Sequence, residues 1–460
     1  MDSSFVSREQ DRMLAELSEF LAIPSVSTYP DRAADCRRAA EWLRSQLVAL
    51  GCPVATLIEG NGHPLVWGES PRVEGKPTLL IYGHYDVQPP EPLEEWTSPP
   101  FEPTVRDGRL YARGAADDKG QVYALLKAYE AVRDADGNPP INVNFIFEGE
   151  EESGGQVIYD VLEREPERTQ VDAVLVCDSH YWAPGWPAVY TALRGICYAE
   201  IRVRTLQRDL HSGIYGGVAP NAIETIARIL AGLKTAGGEI KIPKIYRAVE
   251  PPPKSEVKAW KKLPFDKQVY LEHEVTGKAL TGLKGFSVQE RTWALPTLEI
   301  HGIRGGFTGE GAKTVIPATA VAKVSLRLVP GLTRDKVFKW LQKAVARLAP
   351  KWADVDVVLL HGGDPVLIDT SHPVFDVLDE ALREVTGRGA VRMRAGGSIP
   401  IVPTLGKQGA PVVLTGIGLP DDGLHSPNEK LDLSQLWEGV EVFGRFFERL
   451  GNAGGVRREA

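Results

Sequence analysis

The residues best suited to chemistry in this sequence stand directly after short apolar runs. His84 and Asp86 follow the apolar run 79–82, and both side chains lie on the same side of an extended backbone because they are two positions apart. One interpretation is a polar strand end whose histidine makes ordinary hydrogen bonds. The other is a metal-binding histidine whose second ring nitrogen is held by a carboxylate. The neighbouring segments have to decide between the two.

Two further apolar runs also end in acidic residues. The run 143–147 is followed by EGEEESGG, which contains Glu151 and Glu152, and the run 173–177 is followed by Asp178. Each acid has an ordinary explanation, because glutamate runs are usually solvated surface. Parallel strands, however, bring the residues at their carboxyl ends to one edge of a sheet, where open α/β sheets bind their ligands. The joint occurrence therefore favours a site.

The turn RGAADDKG carries Asp117, and the segment DDGLHSPNEK carries His425. If these acids converged without a counter-charge, each buried anion would cost several kcal/mol. A pair of divalent cations would supply that charge, which favours a two-metal site. The four cysteines show no paired short spacing, so nitrogen and oxygen ligands are expected. Zinc is the expected metal, with manganese or cobalt as alternatives.

The elements that must position these residues alternate between strand and helix. Helical periodicity near 34–50 and 122–132 separates the apolar strands, which predicts an α/β domain with a mixed, mostly parallel sheet. From about Leu193 the sequence pattern changes to strands with alternating apolar and polar residues, mixed with helices. This pattern predicts an inserted α+β domain. The expected division is a discontinuous catalytic domain over 1–191 and 368–460, interrupted by the insert over 192–367.

The composition argues against several classes of partner. With 53 basic and 61 acidic residues, the formal net charge is -8, and no basic run offers a nucleic-acid surface. No stretch reaches the ~18 apolar residues of a membrane span, so no membrane partner is expected. Scattered cysteines suit a reducing compartment, and we expect the protein to be cytoplasmic.

Several segments occur in the order found in the di-metal aminoacylase/carboxypeptidase/dipeptidase metallopeptidases. They are GHYDVQPP, YARGAADDKG, EGEEESGG, VCDSH, DLHSGIYGG and LHSPNEK. Within that family the sequence most closely resembles the carnosinase-like, cytosolic non-specific dipeptidases, from about residue 10 to residue 445. The resemblance implies a metallopeptidase that cleaves dipeptides or short peptides with a free C-terminal carboxylate, and it implies that the insert is a lid and dimerisation domain.

The resemblance also implies a role for each polar residue of the first domain. Two ligand sets share one residue: His84, Asp117 and Asp178 would bind one metal, and Asp117, Glu152 and His425 the other. Asp86 would orient the ring of the first histidine, and Glu151 would be the general base. The peptide bond between the bridging aspartate and Asp118 is implied to be cis.

The resemblance also implies which residues contact the substrate. They are His211, Thr314, Arg327 and His361, which lie in the insert, and Ser398, which lies after it. His211 would reach the active site of the partner in a homodimer and donate a hydrogen bond to the oxyanion. Arg327 would bind the free carboxylate through both arms of its guanidinium, although a strand arginine facing solvent is the ordinary explanation. Glu150, His180 and Ala395 depart from the family pattern, which bears on substrate preference more than on chemistry.

Two other functions compete with the dipeptidase. An N-acyl amino acid deacylase or related amidohydrolase could use the same metal centre, and a substrate panel would separate the two. A non-catalytic protein that binds carboxylates would require loss of the base or of a metal ligand. The sequence retains every one of those residues, which disfavours the second alternative.

Overall fold

The computed structural model describes residues 4–133, 137–397 and 399–453. Its helices are α1 (Phe5–Leu21), α2 (Ala33–Ala49), α3 (Lys119–Ala131), α4 (Val157–Arg164), α5 (Ser212–Tyr215), α6 (Ala222–Leu233), α7 (Lys254–Trp260), α8 (Lys267–Val269), α9 (Arg334–Leu348), α10 (Val374–Thr386), α11 (Val402–Leu405) and α12 (Leu433–Asn452). Within the described ranges, no helix combines the length and the apolar composition needed to cross a bilayer.

The strands are short and spread along the whole chain. They are β1 (Val54–Ile58), β2 (Leu65–Glu69), β3 (Thr78–His84), β4 (Thr104–Arg106), β5 (Arg109–Tyr111), β6 (Asn142–Glu148), β7 (Ala173–Cys177), β8 (Ala188–Leu193), β9 (Gly195–Arg204), β10 (Leu210–His211), β11 (Thr297–Gly305), β12 (Val315–Ile316), β13 (Thr319–Leu328), β14 (Asp354–Gly363), β15 (Val366–Leu367), β16 (Val391–Ala395), β17 (Val412–Thr415) and β18 (Lys430–Asp432). The helices and strands predicted from periodicity are present within a few residues of their expected bounds.

The chain folds as two compact units. The first comprises Met1–Tyr190, Ile368–Arg392 and Ile401–Ala460, and the second comprises Thr191–Leu367 and Met393–Pro400. The short segment Met393–Pro400 therefore belongs to the second unit although it follows a stretch of the first. Each unit has its own arrangement of strands and is described separately.

The first unit is built on a mixed sheet with a parallel centre. Its strands follow the order β1-β2-β6-β3-β7-β17. Strand β3 runs parallel to β6 and β7, and β17 runs parallel to β7, whereas β1 and β2 pair antiparallel. All residues of β6 and β7 are buried, as expected for strands covered on both faces. These observations confirm the predicted α/β class with a mostly parallel central sheet.

The parallel register explains how the polar strand ends come together. His84, the last residue of β3, is paired with Glu148, the last residue of β6, and β7 ends at Cys177 on the other side of β3. The three strands therefore deliver the residues that follow them to the same edge of the sheet. A separate small sheet, in the order β18-β5-β4, lies where the chain approaches the turn before α3.

The second unit contains an antiparallel sheet in the order β11-β13-β9-β14. Buried and partly exposed residues alternate along β9: Cys197 and Ala199 pack into a core with residues of α6 and α9, while Tyr198 and Glu200 face the opposite way. One face of the sheet is thus covered by helices. The mixture of strands and helices predicted for this part of the sequence is confirmed.

Candidate metal centre

The imidazole of His84 lies at the carboxyl end of β3 and is only 1% exposed. Its Nε2 atom is 3.0 Å from Oδ1 of Asp117 and 3.9 Å from Oδ1 of Asp178. Its Nδ1 atom is 3.1 Å from the backbone oxygen of Asp86 and 3.4 Å from Oδ1 of the same residue. One ring nitrogen is therefore held by Asp86, mainly through its main chain, while the other faces two carboxylates.

Asp117 joins the two parts of the site. It lies in the turn between β5 and α3, and its peptide bond to Asp118 is cis, as the resemblance implied. Oδ1 of Asp117 faces His84, and Oδ2 is 3.0 Å from Nε2 of His425. The two oxygens of one carboxylate thus reach two different imidazoles, which is the arrangement required of a bridging ligand.

Glu152 completes the second group. Its Oε1 atom is 3.4 Å from Nε2 of His425, is buried, and makes no hydrogen bond within the described residues. Its Oε2 atom accepts a hydrogen bond from Nε2 of Gln88 at 2.7 Å. A buried carboxylate oxygen without a donor needs an explanation, and a bound cation provides one.

Two groups of side chains can each hold a metal ion. In each group, the possible ligand atoms all lie within 4.8 Å of one another: the first group is His84, Asp117 and Asp178, and the second is Asp117, Glu152 and His425. These are the two ligand sets expected from the sequence. Imidazole and carboxylate donors without a thiolate fit zinc, manganese and cobalt, so the residues present fit a pair of divalent ions.

The electrostatics of the group point the same way. Burial raises the pKa of Asp178 to about 6 and raises the pKa of Glu151 well above its ordinary value. The carboxylate of Asp117, and after it that of Glu152, raises the pKa of His425 to about 10. The carboxylates of the site outnumber the two imidazoles that could carry a compensating positive charge. Divalent ions would supply the rest of that charge.

Glu151 lies beside Glu152 in the turn after β6, and the carboxylate of Asp86 holds this turn. The backbone N–H groups of Glu151 and Glu152 donate to the two oxygens of Asp86 at 3.2 and 3.1 Å. The hydroxyl of Ser27 donates to the same carboxylate at 2.6 Å. Asp86 therefore fixes the backbone of the expected base, a role that the spacing of His84 and Asp86 did not indicate.

Two further buried side chains support the site and were not singled out from the sequence. The amide nitrogen of Gln121 donates to the backbone oxygen of Ala116, while its amide oxygen accepts the N–H of Ile417. Glu429 accepts hydrogen bonds from the backbone of the turn that carries Asp117. Glu429 lies inside the segment LHSPNEK, and its place in that segment could have drawn attention to it. A single glutamate there, however, does not indicate which residues it contacts.

The second unit holds the residues expected to contact the substrate, and they are more exposed. His211, on β10, is paired with Val315 of β12, and Thr314 directly precedes that strand. The N–H of Ser212 donates to the backbone oxygen of Thr314 at 3.1 Å. Nδ1 of His211 accepts the N–H of Gly213 at 3.0 Å. Both side chains are exposed, and Ser398 lies outside the described residues.

Arg327 and His361 belong to the four-stranded sheet. Arg327, on β13, is half-buried, and burial lowers the pKa of its guanidinium. His361 follows a β-bulge in β14 and stacks on the ring of Tyr198, with ring centres 4.8 Å apart. The ring of Tyr198 is also stacked on His301 at 5.0 Å, and His301 lies at the irregularity between Ile300 and Gly302 of β11. Nothing in the sequence pattern indicated this stack.

Comparisons with known proteins agree with this geometry. Residues 80–449 match the family described as Peptidase family M20/M25/M40. The Cys-Gly metallodipeptidase of Schizosaccharomyces pombe is 31% identical over 97% of this chain and 97% of its own length, and the Beta-Ala-His dipeptidase of Homo sapiens is 31% identical over 96% of this chain and 91% of its own. The crystal structure of human carnosine dipeptidase 1 superimposes with a TM-score of 0.85 at 29% identity, covering 98% of both chains.

Proposed function

This chain is a member of peptidase family M20/M25/M40, and on that premise we propose that it is a two-metal dipeptidase. Its substrates are dipeptides or short peptides with a free C-terminal carboxylate. The observation that carries the proposal is the pair of ligand groups sharing Asp117, with Glu151 beside the ligand Glu152. The names of its relatives, which are Cys-Gly and Beta-Ala-His dipeptidases, support the substrate class.

The two ions are held by the side chains already grouped by distance. His84, Asp117 and Asp178 hold one ion, and Asp117, Glu152 and His425 hold the other. We propose zinc because imidazole and carboxylate ligands suit it, with manganese and cobalt as the alternatives. When bound, such ions polarise the scissile carbonyl and make a water more acidic.

Glu151 is the proposed general base. It accepts a proton from the attacking water and donates it to the departing amine, the exchange that a carboxylate with a raised pKa performs near neutral pH. Burial raises the pKa of Glu151, in keeping with that task. Asp86 fixes the backbone of Glu151 and also holds the ring of His84, so one buried side chain orients both a base and a ligand.

The substrate carboxylate is the proposed partner of Arg327. A guanidinium presents a planar fork that binds a carboxylate through two parallel hydrogen bonds. Partial burial strengthens this attraction, since it removes competing water from around the guanidinium. Thr314, His361 and Ser398 are proposed to hold the rest of the substrate.

We also propose that the protein works as a homodimer in which His211 completes the active site of the partner. Three large apolar side chains next to His211 are exposed: Ile214 by 70%, Tyr215 by 43% and Val218 by 87%. Such a concentration of exposed apolar surface is typical of a segment that another chain covers. In this arrangement the imidazole donates a hydrogen bond to the oxyanion formed at the scissile carbonyl.

The proposed location is the cytoplasm. The four cysteines, Cys36, Cys52, Cys177 and Cys197, are all buried and free. Unpaired thiols of this kind are usual in a reducing compartment. Fractionation of the source cells with an antibody against the protein would test this location, and recovery from an oxidising compartment would contradict it.

The decisive experiment is a substrate panel. The metal-free protein is reloaded in turn with zinc, manganese and cobalt, and each form is assayed on dipeptides, on the same dipeptides with an amidated C-terminus, and on N-acetyl amino acids. We expect hydrolysis of free dipeptides and a large loss on the amidated ones. Cleavage of N-acetyl amino acids but not of dipeptides would support the deacylase instead, and no cleavage with any metal would refute both.

A further inference from the structure

The carboxylate of Glu429 is completely buried beneath the turn that carries Asp117. Oε1 accepts the backbone N–H groups of Ala116 at 2.9 Å and Asp117 at 3.0 Å. Oε2 accepts the N–H of Gly114 at 2.9 Å and Nη1 of Arg113 at 2.7 Å. Both oxygens are thus occupied by donors from a single stretch of backbone and its arginine.

Arg113 extends the same connection to the loop that carries His425. Its Nη2 atom donates to the backbone oxygens of Ser426 at 3.2 Å and Pro89 at 3.3 Å, and the side chain is 1% exposed. The pairing of β5 with β18 brings the two partners together, since Arg113 follows β5 and Glu429 precedes β18. The ion pair therefore makes hydrogen bonds to both the loop that carries Asp117 and the loop that carries His425.

We propose that the pair formed by Arg113 and Glu429 positions Asp117 and His425 for metal binding and thereby sets the metal affinity of the centre. This inference rests on the proposed two-metal site. Asp117 and His425 are 308 positions apart in the sequence, so their 3.0 Å approach depends on what joins their loops. Neither Arg113 nor Glu429 contacts the expected ligand atoms, so both act through the backbone as positioning residues.

Charge alone does not account for this arrangement. A buried ion pair must offset the loss of hydration of both groups, so it is a poor source of stability by itself. What Glu429 supplies is an acceptor for three amides of one loop, those of Gly114, Ala116 and Asp117. A glutamine cannot replace it, because its NH₂ group would face those donors. His425 has a positive φ of 60°, a backbone conformation that its loop has to maintain.

The test is the metal affinity of Glu429→Gln. The full-length protein is stripped with a chelator and titrated with Co²⁺, with binding followed by visible absorption and by competition with a chelating dye. We expect the affinity to fall about 10- to 100-fold, the usual consequence of losing a partner that orients a ligand. Turnover should recover when the Co²⁺ concentration is raised.

Glu256→Gln is the matched control. Glu256 accepts hydrogen bonds from Nε and Nη2 of Arg394 at 2.9 and 2.7 Å and from the hydroxyl of Thr191. It is a partly buried acid, 14% exposed, that is paired with an arginine as Glu429 is, but it lies in the second unit. Its substitution should lower the thermal unfolding temperature and leave the Co²⁺ affinity unchanged. Unchanged affinity in folded Glu429→Gln would overturn the inference.

A measurement on the unmodified protein covers the case in which Glu429→Gln does not fold. Hydrogen exchange of the peptide spanning 112–118 is followed with and without Co²⁺. We expect slow exchange in both states, because Glu429 and not the metal holds these amides. Fast exchange in the metal-free protein would contradict the inference. Absence of Co²⁺ binding by the unmodified protein would instead refute the two-metal centre itself.

Discussion

The proposed metal ligands and the proposed substrate contacts lie in two units that prepare their residues very differently. In the first unit, side chains at the ends of parallel strands are held by buried carboxylates: Asp118 accepts the N–H of His84, and Asp86 accepts those of Glu151 and Glu152. In the second unit, His211 and its neighbour Thr314 are exposed. The proposed metal ligands are thus fixed by contacts within their own unit, whereas the proposed substrate contacts are exposed.

The difference reflects what each group must bind. Divalent ions require ligand atoms within narrow distance limits, and such limits are met only when the backbone behind each ligand is fixed. A substrate must enter and leave, so the residues that contact it cannot all be buried beforehand. Exposure of His211 beside exposed apolar residues is consistent with completion of the site by a partner chain.

The largest effect is expected from Glu151→Gln in the first unit. Turnover should fall by about 10² to 10⁴, the usual contribution of a general base, while the uptake of both metal ions stays unchanged. The measurements are steady-state kinetics and metal content. Glu150→Gln is the control, since the side chain of Glu150 accepts the N–H groups of His63 and Val157. Retained turnover in Glu151→Gln would remove the proposed base.

His211→Ala tests whether the second unit needs a partner. Removal of an oxyanion donor should lower kcat by about 10² to 10³. Mixing this variant with an inactive His84→Ala chain should restore activity, because a heterodimer contains one complete site. The readout is kcat in the mixture compared with each variant alone. If heterodimers form without any recovery, His211 does not complete the active site of the partner.

Arg327→Lys is expected to have an intermediate effect. Lysine keeps the charge but loses the planar fork, so kcat/KM for dipeptides should fall about 10- to 100-fold, mainly through KM. Arg202→Lys, at an exposed arginine of β9 paired with Glu200, is the control and should have no effect. An equal loss on C-terminally amidated dipeptides would show that Arg327 does not bind the carboxylate.

The smallest effect is expected from Tyr198→Leu. This change removes the ring that stacks on both His301 and His361, so the imidazole of His361 should lose part of its orientation. Stacking of this kind contributes ~0.5–1.5 kcal/mol, so KM should rise about 2- to 10-fold with little change in kcat. A change in kcat alone would indicate that the stack serves another purpose.

Much of the first unit could be anticipated from the sequence. Apolar strands 79–82 and 173–177 are buried throughout, and the parallel pairing of their strands brings His84 towards Asp178 as expected. The family resemblance was confirmed by the match over 80–449. The stack around Tyr198 could not be anticipated, because it depends on irregularities in the pairing of β11 and β14 with their neighbours.

The sequence by itself determined which chemical groups this protein has and which strands they follow. The reason is that each apolar strand and the polar residues at its end are adjacent in the sequence. Only the tertiary structure showed which buried carboxylates hold the backbone of the proposed site and which leave an oxygen without a donor. Glu152 and Glu429 are both buried acids, yet one leaves an oxygen without a donor beside His425 while the other accepts four donors from the turn of Asp117. That distinction depends on contacts between residues hundreds of positions apart, which local sequence does not encode.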